Sequence, residues 1–149
     1  MRKLILFTIL TLALLISCGA LLSVSAAFGE VDIVVNRSNN ISSLSRDEAQ
    51  RIFVGEKSAW PGGKHITVLM LAKGQPEREV ILREVYRMNE SDYIKYFLQA
   101  AFTGRVQAAP KDLASAAEMK ARLAANPNAV GYLKKEVVDD SVRVLLKIP

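Results

Sequence analysis

The sequence predicts an α/β domain, a mixed sheet flanked by helices in the order βαβαααββ. Three observations carry this. β-Branched apolar runs alternate with segments of helical spacing. Three of the four helical segments open on a Ser cap and the other on a Pro. Strands separated by helices need crossover connections, which lay helices against a mostly parallel or mixed sheet.

Val31 to Asn36 is a β-branched run and reads as a buried strand; Arg37 to Ser43 is polar and turn-forming. Ser45 with Glu48 three residues on is a capping box. It opens a helix over Arg46–Val54 with Ala49, Ile52 and Phe53 on one face, stopped by Gly55. Trp60-Pro61-Gly62-Gly63 is a turn. Ile66 to Ala72 is apolar almost throughout, which predicts a central strand. After the turn Lys73-Gly74-Gln75, Pro76 suits the first helical position because its missing N–H is unpaired there anyway. The helix Pro76–Met88 sets Val80, Ile81, Val85 and Met88 at helical spacing. Ser91 is the expected cap of a third helix, with Tyr93, Ile94, Tyr96, Phe97, Ala100 and Ala101 inward. Thr103 to Asp112 is a loop. Ser115 and Glu118 form another capping box, opening a helix that ends near Asn126-Pro127-Asn128. Ala129–Leu133 and Val142–Ile148 are the last strands, divided by the Asp139-Asp140 turn. Gly131, inside a strand, points to a close backbone approach.

The chain has 149 residues, 20 Lys+Arg against 15 Asp+Glu, and a formal net charge of +5. Its first 27 residues read as an address. Arg2 and Lys3 precede an apolar run from Leu4 to Leu22, and small residues follow at Ser23, Ser25, Ala26 and Ala27. A cleaved signal peptide over residues 1–27 fits this pattern. Leu15-Ile16-Ser17-Cys18 is also similar to a bacterial lipobox, and the run is long enough for an uncleaved anchor across a ~30 Å hydrocarbon core. Each reading delivers residues 28–149 outside the cytoplasm of a bacterial host. Those remaining residues, about 120, can bury roughly two thirds of their unfolded surface without disulfide or metal. Cys18 is the sole cysteine, which excludes a disulfide scaffold. Composition excludes collagen-like, coiled-coil and disordered classes.

The usual catalytic constellations are missing, and no enzyme activity or cofactor is expected. His65 is the one histidine, and no HExxH, GxSxG, P-loop or CxxC occurs. Asp139 and Asp140 read as turn chemistry, His65 as a solvated residue, and Trp60 as a lid on a small core. Tyr93, Tyr96, Phe97 and Phe102 read as core packing. Basic residues are dispersed with no aromatic–basic ribbon, which argues against nucleic-acid binding. One corner has the makings of a site. Lys73-Gly74-Gln75-Pro76 leads from a strand into a helix N-terminus, whose free N–H groups and dipole suit an anion. Arg78 in the first turn is placed to reach forward to it.

Three segments together resemble the phosphate-type substrate-binding proteins of ABC transporters, in particular a short single-lobe offshoot. The first runs from Val34-Val35-Asn36 through Leu44-Ser45-Arg46-Asp47-Glu48 to Arg51-Ile52-Phe53-Val54-Gly55 and Trp60-Pro61-Gly62-Gly63. The second is Ile66 to Arg78. The third is Asn126-Pro127-Asn128-Ala129-Val130-Gly131-Tyr132-Leu133, similar to the family's "P-x-A-I-G-Y" strand. Between them, Ala101-Phe102-Thr103-Gly104 fits the offshoot. The resemblance implies one lobe of a type II periplasmic-binding-protein fold. It also implies a phosphate or other oxyanion ligand, and a membrane transporter or envelope protein as partner. Candidate ligand-binding residues are then Ser38, Asn39, Gly74, Gln75 and Arg78. Where the family has a Ser-Gly-Thr-like turn preceded by Arg, this chain has Gly74-Gln75-Pro76-Glu77 preceded by Leu71. Two hydroxyls and a backbone donor are lost and a carboxylate is gained, which predicts weakened or lost phosphate affinity. A homodimer of facing lobes would rebuild a cleft. The alternative is an envelope accessory or sensor module that keeps the fold without a solute.

Overall fold

The computed structural model describes residues 29–107 and 109–149. The leader readings, Cys18 among them, lie outside the described residues. Six strands and four α-helices follow in the order β1 (Val31–Asn36), α1 (Arg46–Phe53), β2 (Thr67–Val68), β3 (Met70–Leu71), α2 (Pro76–Ile81), α3 (Glu90–Phe102), β4 (Asp112–Leu113), α4 (Ala116–Ala125), β5 (Ala129–Lys134) and β6 (Val142–Ile148). A π-turn, Leu82–Tyr86, extends α2.

The main sheet has the order β2-β5-β1-β6 and is mixed. β1 runs antiparallel to both β5 and β6, and β2 runs parallel to β5. The apolar run of β1 fits this central place, since Val31 to Val35 are all buried. Between Ile33 and Val34 the β1–β6 register slips past Leu145, whose carbonyl instead accepts from Leu44 N at 3.0 Å. A bulge residue is thereby turned to fix the loop that enters α1. Helices cover both faces. Gly131 faces α4, where a Cβ would meet Met119 Sδ at 2.5 Å, so the close approach expected at that glycine is present. Successive residues of a strand face opposite ways. The neighbours of Gly131 accordingly meet the other layer, with Lys134 Nζ 3.4 Å from Glu77 of α2.

The local signals hold at α1. Ser45 Oγ accepts from Glu48 N, and the Glu48 carboxylate returns to Ser45 N at 3.0 Å. Trp60 is buried and donates from Nε1 to Asn128 O at 3.0 Å, a lid as expected. The Asp139 carboxylate accepts from Ser141 N, as turn chemistry requires.

Several expectations are corrected. Ile66–Ala72 is neither one strand nor central. Thr67 and Val68 pair with β5 at the sheet's edge, while Met70 and Leu71 leave to pair with Asp112 and Leu113 in a second, two-stranded sheet. The physical reason is Tyr132. Its phenol takes the hydrogen bond from Leu71 N at 2.8 Å, where the β5 ladder would otherwise continue. The expected loop over Thr103–Asp112 therefore ends in a strand. The helix expected over Pro76–Met88 changes to the wider π register at Leu82, which turns Leu82, Val85 and Tyr86 all into the core, and it stops at Arg87 in the left-handed region (φ 57°). The cap of α3 is Asn89 rather than Ser91, its side chain accepting from Asp92 N. At α4, Ser115 caps Glu118 N, but Glu118 turns back to Ala114 N, so the box is not reciprocal.

Tyr93, Phe97 and Ala100 of α3 are buried. Tyr93 and Phe97 stack with Tyr86 and, through it, Phe53, at centroid distances of 4.8–6.2 Å. Ile94 and Ala101, expected inward, and Phe102, expected in the core, are exposed instead. Phe102 sits opposite the buried residues, and Ile94 and Ala101 sit on the flank between.

Candidate functional site

Gly74 adopts φ +90°, which glycine reaches without strain. This lets the chain turn from β3 into α2. Gln75 is the N-cap residue of α2 but makes no side-chain cap, its amide donating instead to Ala114 O at 3.2 Å. Pro76 offers no N–H. Glu77 and Glu79 stand in the first turn, where their charge meets the helix dipole favourably. Glu77 is buried, one carboxylate oxygen facing Lys134 and the other without a hydrogen-bond partner. The corner thus carries its own anion.

Arg78 does not reach the Gly74 turn. It is 2% exposed. Its guanidinium holds Glu90 through Nε and Nη2, both at 2.9 Å. Nη1 donates to Leu71 O at 2.6 Å and to Asp112 at 2.8 Å. The Tyr93 ring lies 4.9 Å beneath the charge. Burial by itself would lower the Arg78 pKa, but hydrogen bonds to Glu90 and the charges of Asp112 and Glu90 more than reverse this, and the pKa is raised. Burial pushes the Tyr93 phenol up to about 12, so it stays protonated at neutral pH. The whole forms a hub that ties α2, α3, β3 and β4 together, with fork-shaped donors matched to carboxylate and carbonyl oxygens.

Ser38 and Asn39 lie elsewhere. Ser38 Oγ donates to Asn36 Oδ1 at 2.7 Å. Asn39 Nδ2 donates to Pro127 O at 2.8 Å, and its Oδ1 accepts from Ile41 N. Asn36 reaches on to Leu123 O at 2.9 Å, and Asn126 to Thr67 Oγ1 at 3.2 Å. This polar seam closes the end of the sheet where β5 begins. Glu77, by contrast, meets Lys134 where β5 ends. The strand between spans six residues, Ala129 to Lys134, at roughly 3.4 Å each. The five candidate residues are therefore not brought to one place.

Two grooves flank these elements. One, of about 790 Å³, runs beside α2 from Gly74 to Met88, and its charges are mixed: Lys73, Arg78, Arg83 and Arg87 with Glu79, Glu90 and Asp92. The other, of about 780 Å³, follows the open edge of β2 and has an apolar floor that includes Phe53, Ile66 and Leu113. Its lining holds Lys57, Arg105, Lys111 and Arg122 with His65, and no carboxylate. Lys57 and Arg122 have carboxylate neighbours at 3.7 and 3.6 Å. Among the described residues, no cluster of His, Cys, Asp or Glu could hold a metal ion.

Sequence reasoning missed Glu90, Asp112 and Lys134 as parts of this region, and named Glu77 only as the carboxylate gained at the turn. One signal was present. Arg78 shares a helical face with Ile81, Leu82 and Val85, and a cation on an apolar face requires buried acceptors.

No protein-family model matches the chain, and no curated protein matches it. Solved structures do. The chain is similar over 79% of its length to a structure described as a phosphate ABC transporter substrate-binding protein with bound phosphate, from Clostridium perfringens (TM-score 0.63, 17% identity). It matches an ABC-type phosphate transport receptor from Vibrio cholerae over 79% (TM-score 0.57, 21% identity). PstS from Borrelia burgdorferi matches over 78% (TM-score 0.59, 13% identity). The chain spans just under half of each, 45%, 46% and 47% in turn. The likeness is one of fold: a mixed α/β domain of the periplasmic-binding-protein type, the size of a single lobe.

Proposed function

We propose that this is an exported, non-enzymatic solute-binding-like protein, related to phosphate and oxyanion ABC transporter binding proteins and with weakened or lost phosphate affinity. One observation carries the last point. The basic residue next to the would-be anion turn is held by two carboxylates and a carbonyl, and the turn itself presents Glu77. A charge-assisted hydrogen bond contributes about 1.5–3 kcal/mol, and micromolar capture needs about 8 kcal/mol in all. A corner without hydroxyls, with Arg78 already held and Lys73 exposed to solvent, falls short of that. The export reading rests on the leader, and the transport reading on the fold.

Calorimetry and thermal shift with phosphate, sulfate and molybdate test this. The expected result is no heat and no stabilisation below millimolar anion. Micromolar phosphate binding that disappears in a Gly74→Val variant would overturn it.

The second reading, an envelope accessory or sensor module that keeps the fold without a solute, is favoured by the exposed apolar side of α3. A role exercised through that side, with no anion bound, fits this reading better than uptake.

A further inference from the structure

We propose that the groove along the open edge of β2 binds an acidic peptide in extended form, which adds to the main sheet as a further strand. Two independent observations carry this. The first is an edge with unused backbone groups. Thr67 N donates to Asn128 O at 3.2 Å and Leu69 N to Val130 O at 2.8 Å, so both residues face β5. Successive residues of a ladder turn their backbone groups to opposite sides. The N–H and C=O of Val68 therefore point away from β5, where β2 is the last strand of its sheet. Thr67 and Val68 are only half-buried. Such an edge is a template for a strand from another chain.

The second observation is charge. The lining has four Lys and Arg side chains and no carboxylate, in a chain that holds 15 Asp and Glu. Arg105 and Lys111 are exposed and make no ion pair among the described residues. A basic rim over an apolar floor complements a partner that is acidic and partly apolar, and repels a basic one.

Charge alone would admit any amphiphilic anion. The Val68 edge narrows the choice. A fatty carboxylate or inorganic phosphate brings acceptors only, and leaves the Val68 carbonyl unmatched. A peptide backbone brings a donor and an acceptor at strand spacing. The flanking layers set its side-chain pattern. Phe53 and Phe97 reach the groove from the aromatic cluster around Tyr86, and Arg122 reaches it from α4 on the other face. An added strand shows alternate side chains to these two layers, so apolar and acidic residues in alternation fit. One edge residue supplies few main-chain bonds, which places the Kd on the order of 10–100 μM. The groove shares no lining residue with the one beside Gly74, so its occupation is independent of anion binding at that corner.

The test uses the full-length chain and a fluorescein-labelled peptide of about six residues, a usual strand length, with Glu and Val in alternation. Anisotropy should show saturable binding. Arg105→Glu combined with Arg122→Glu should weaken it at least tenfold with no change in Tm, and so should Lys in place of Glu in the peptide. The edge itself is read on the unaltered chain. N-methylation of one alternate set of peptide amides should cost at least tenfold, and of the other set little. Millimolar phosphate should leave the peptide bound. No saturation up to millimolar protein, or equal binding of the Lys peptide, overturns the proposal. Two methylated sets that bind alike, with octanoate displacing the peptide, overturn it in favour of a small amphiphilic anion.

Discussion

Two of the loops that carry this chain from a strand into a helix satisfy that helix in opposite ways. Where β1 leads into α1, the helix cap is local, although the loop before it is tied to β6. Ser45 and Glu48 bond reciprocally across three residues, and the Leu145 bulge carbonyl holds Leu44. Where β3 leads into α2, nothing local caps the helix. Pro76 removes a donor, Gln75 bonds to Ala114, and the neighbouring Arg78 is held by groups 12 and 34 residues further along. The first helix is capped by residues of its own first turn. The second corner exists only when α3 and β4 have docked. An anion-binding turn needs free donors, and this turn is a structural joint.

The largest way to break that contrast is Arg78→Ala. Removing one member of a buried pair costs about 3–5 kcal/mol. Glu90 and Asp112 are 25% and 50% exposed at the side chain, so they regain some water, and we expect about 3 kcal/mol in denaturant unfolding. A loss under about 1 kcal/mol would mean that the hub contributes little and the second corner is held by something else. Next comes Gly131→Val, which pushes into Met119 from the strand that carries Tyr132. Overpacking of this kind costs about 1–3 kcal/mol. Gly131→Ala should cost less, because the Met119 thioether can swing aside. If Gly131→Val melts with wild type, β5 does not hold the phenol that turns β3 away.

The same contrast explains what was legible in the sequence. β1, α1 and its box, the Pro76 start of α2, the Trp60 lid and the Gly131 approach each have a signal within a few residues, and each is present. The split of Ile66–Ala72 has none, because it depends on a phenol 61 positions away from Leu71. Arg78 was named as a ligand residue from its place beside the Gly74 turn. Its actual partners, Glu90 and Asp112, become neighbours only through the tertiary fold. On α3 the difficulty is different. Apolar residues occupy both sides, so helical spacing alone does not say which side is inward. The Asn89 cap and the aromatic cluster with Phe53 and Tyr86 decide it, leaving Ile94, Leu98 and Phe102 outside.

A smaller effect is expected at the first corner. Ser45→Ala removes one cap acceptor and should cost about 1 kcal/mol, with α1 fraying in hydrogen exchange before any other helix. Because the Ser45–Glu48 box involves no residue of α3, protection of α3 should stay as in wild type. Loss of protection at Tyr93 or Phe97 would show that the two corners are coupled, and that the division drawn between them is wrong.

The smallest effect is the pH dependence of that same substitution. Hydrogen bonds from the Ser45 backbone and side chain hold the Glu48 carboxyl below its ordinary value of 4.5, against a small opposing effect of burial. A folded-state pKa below the unfolded one means that the carboxylate's stabilisation is complete above about pH 4.5 and is lost as pH falls through the lower, folded value. The gap in stability between wild type and Ser45→Ala should therefore be widest near neutrality and narrow on acidification, since protonated Glu48 no longer completes the box. The guanidinium of Arg78 stays charged across the same range and supplies no such narrowing of its own to the Arg78→Ala gap. Parallel unfolding curves at pH 7 and at pH 3.5 measure this directly. A Ser45→Ala gap that is unchanged between them would show that the hydroxyl acts alone and that Glu48 is an onlooker.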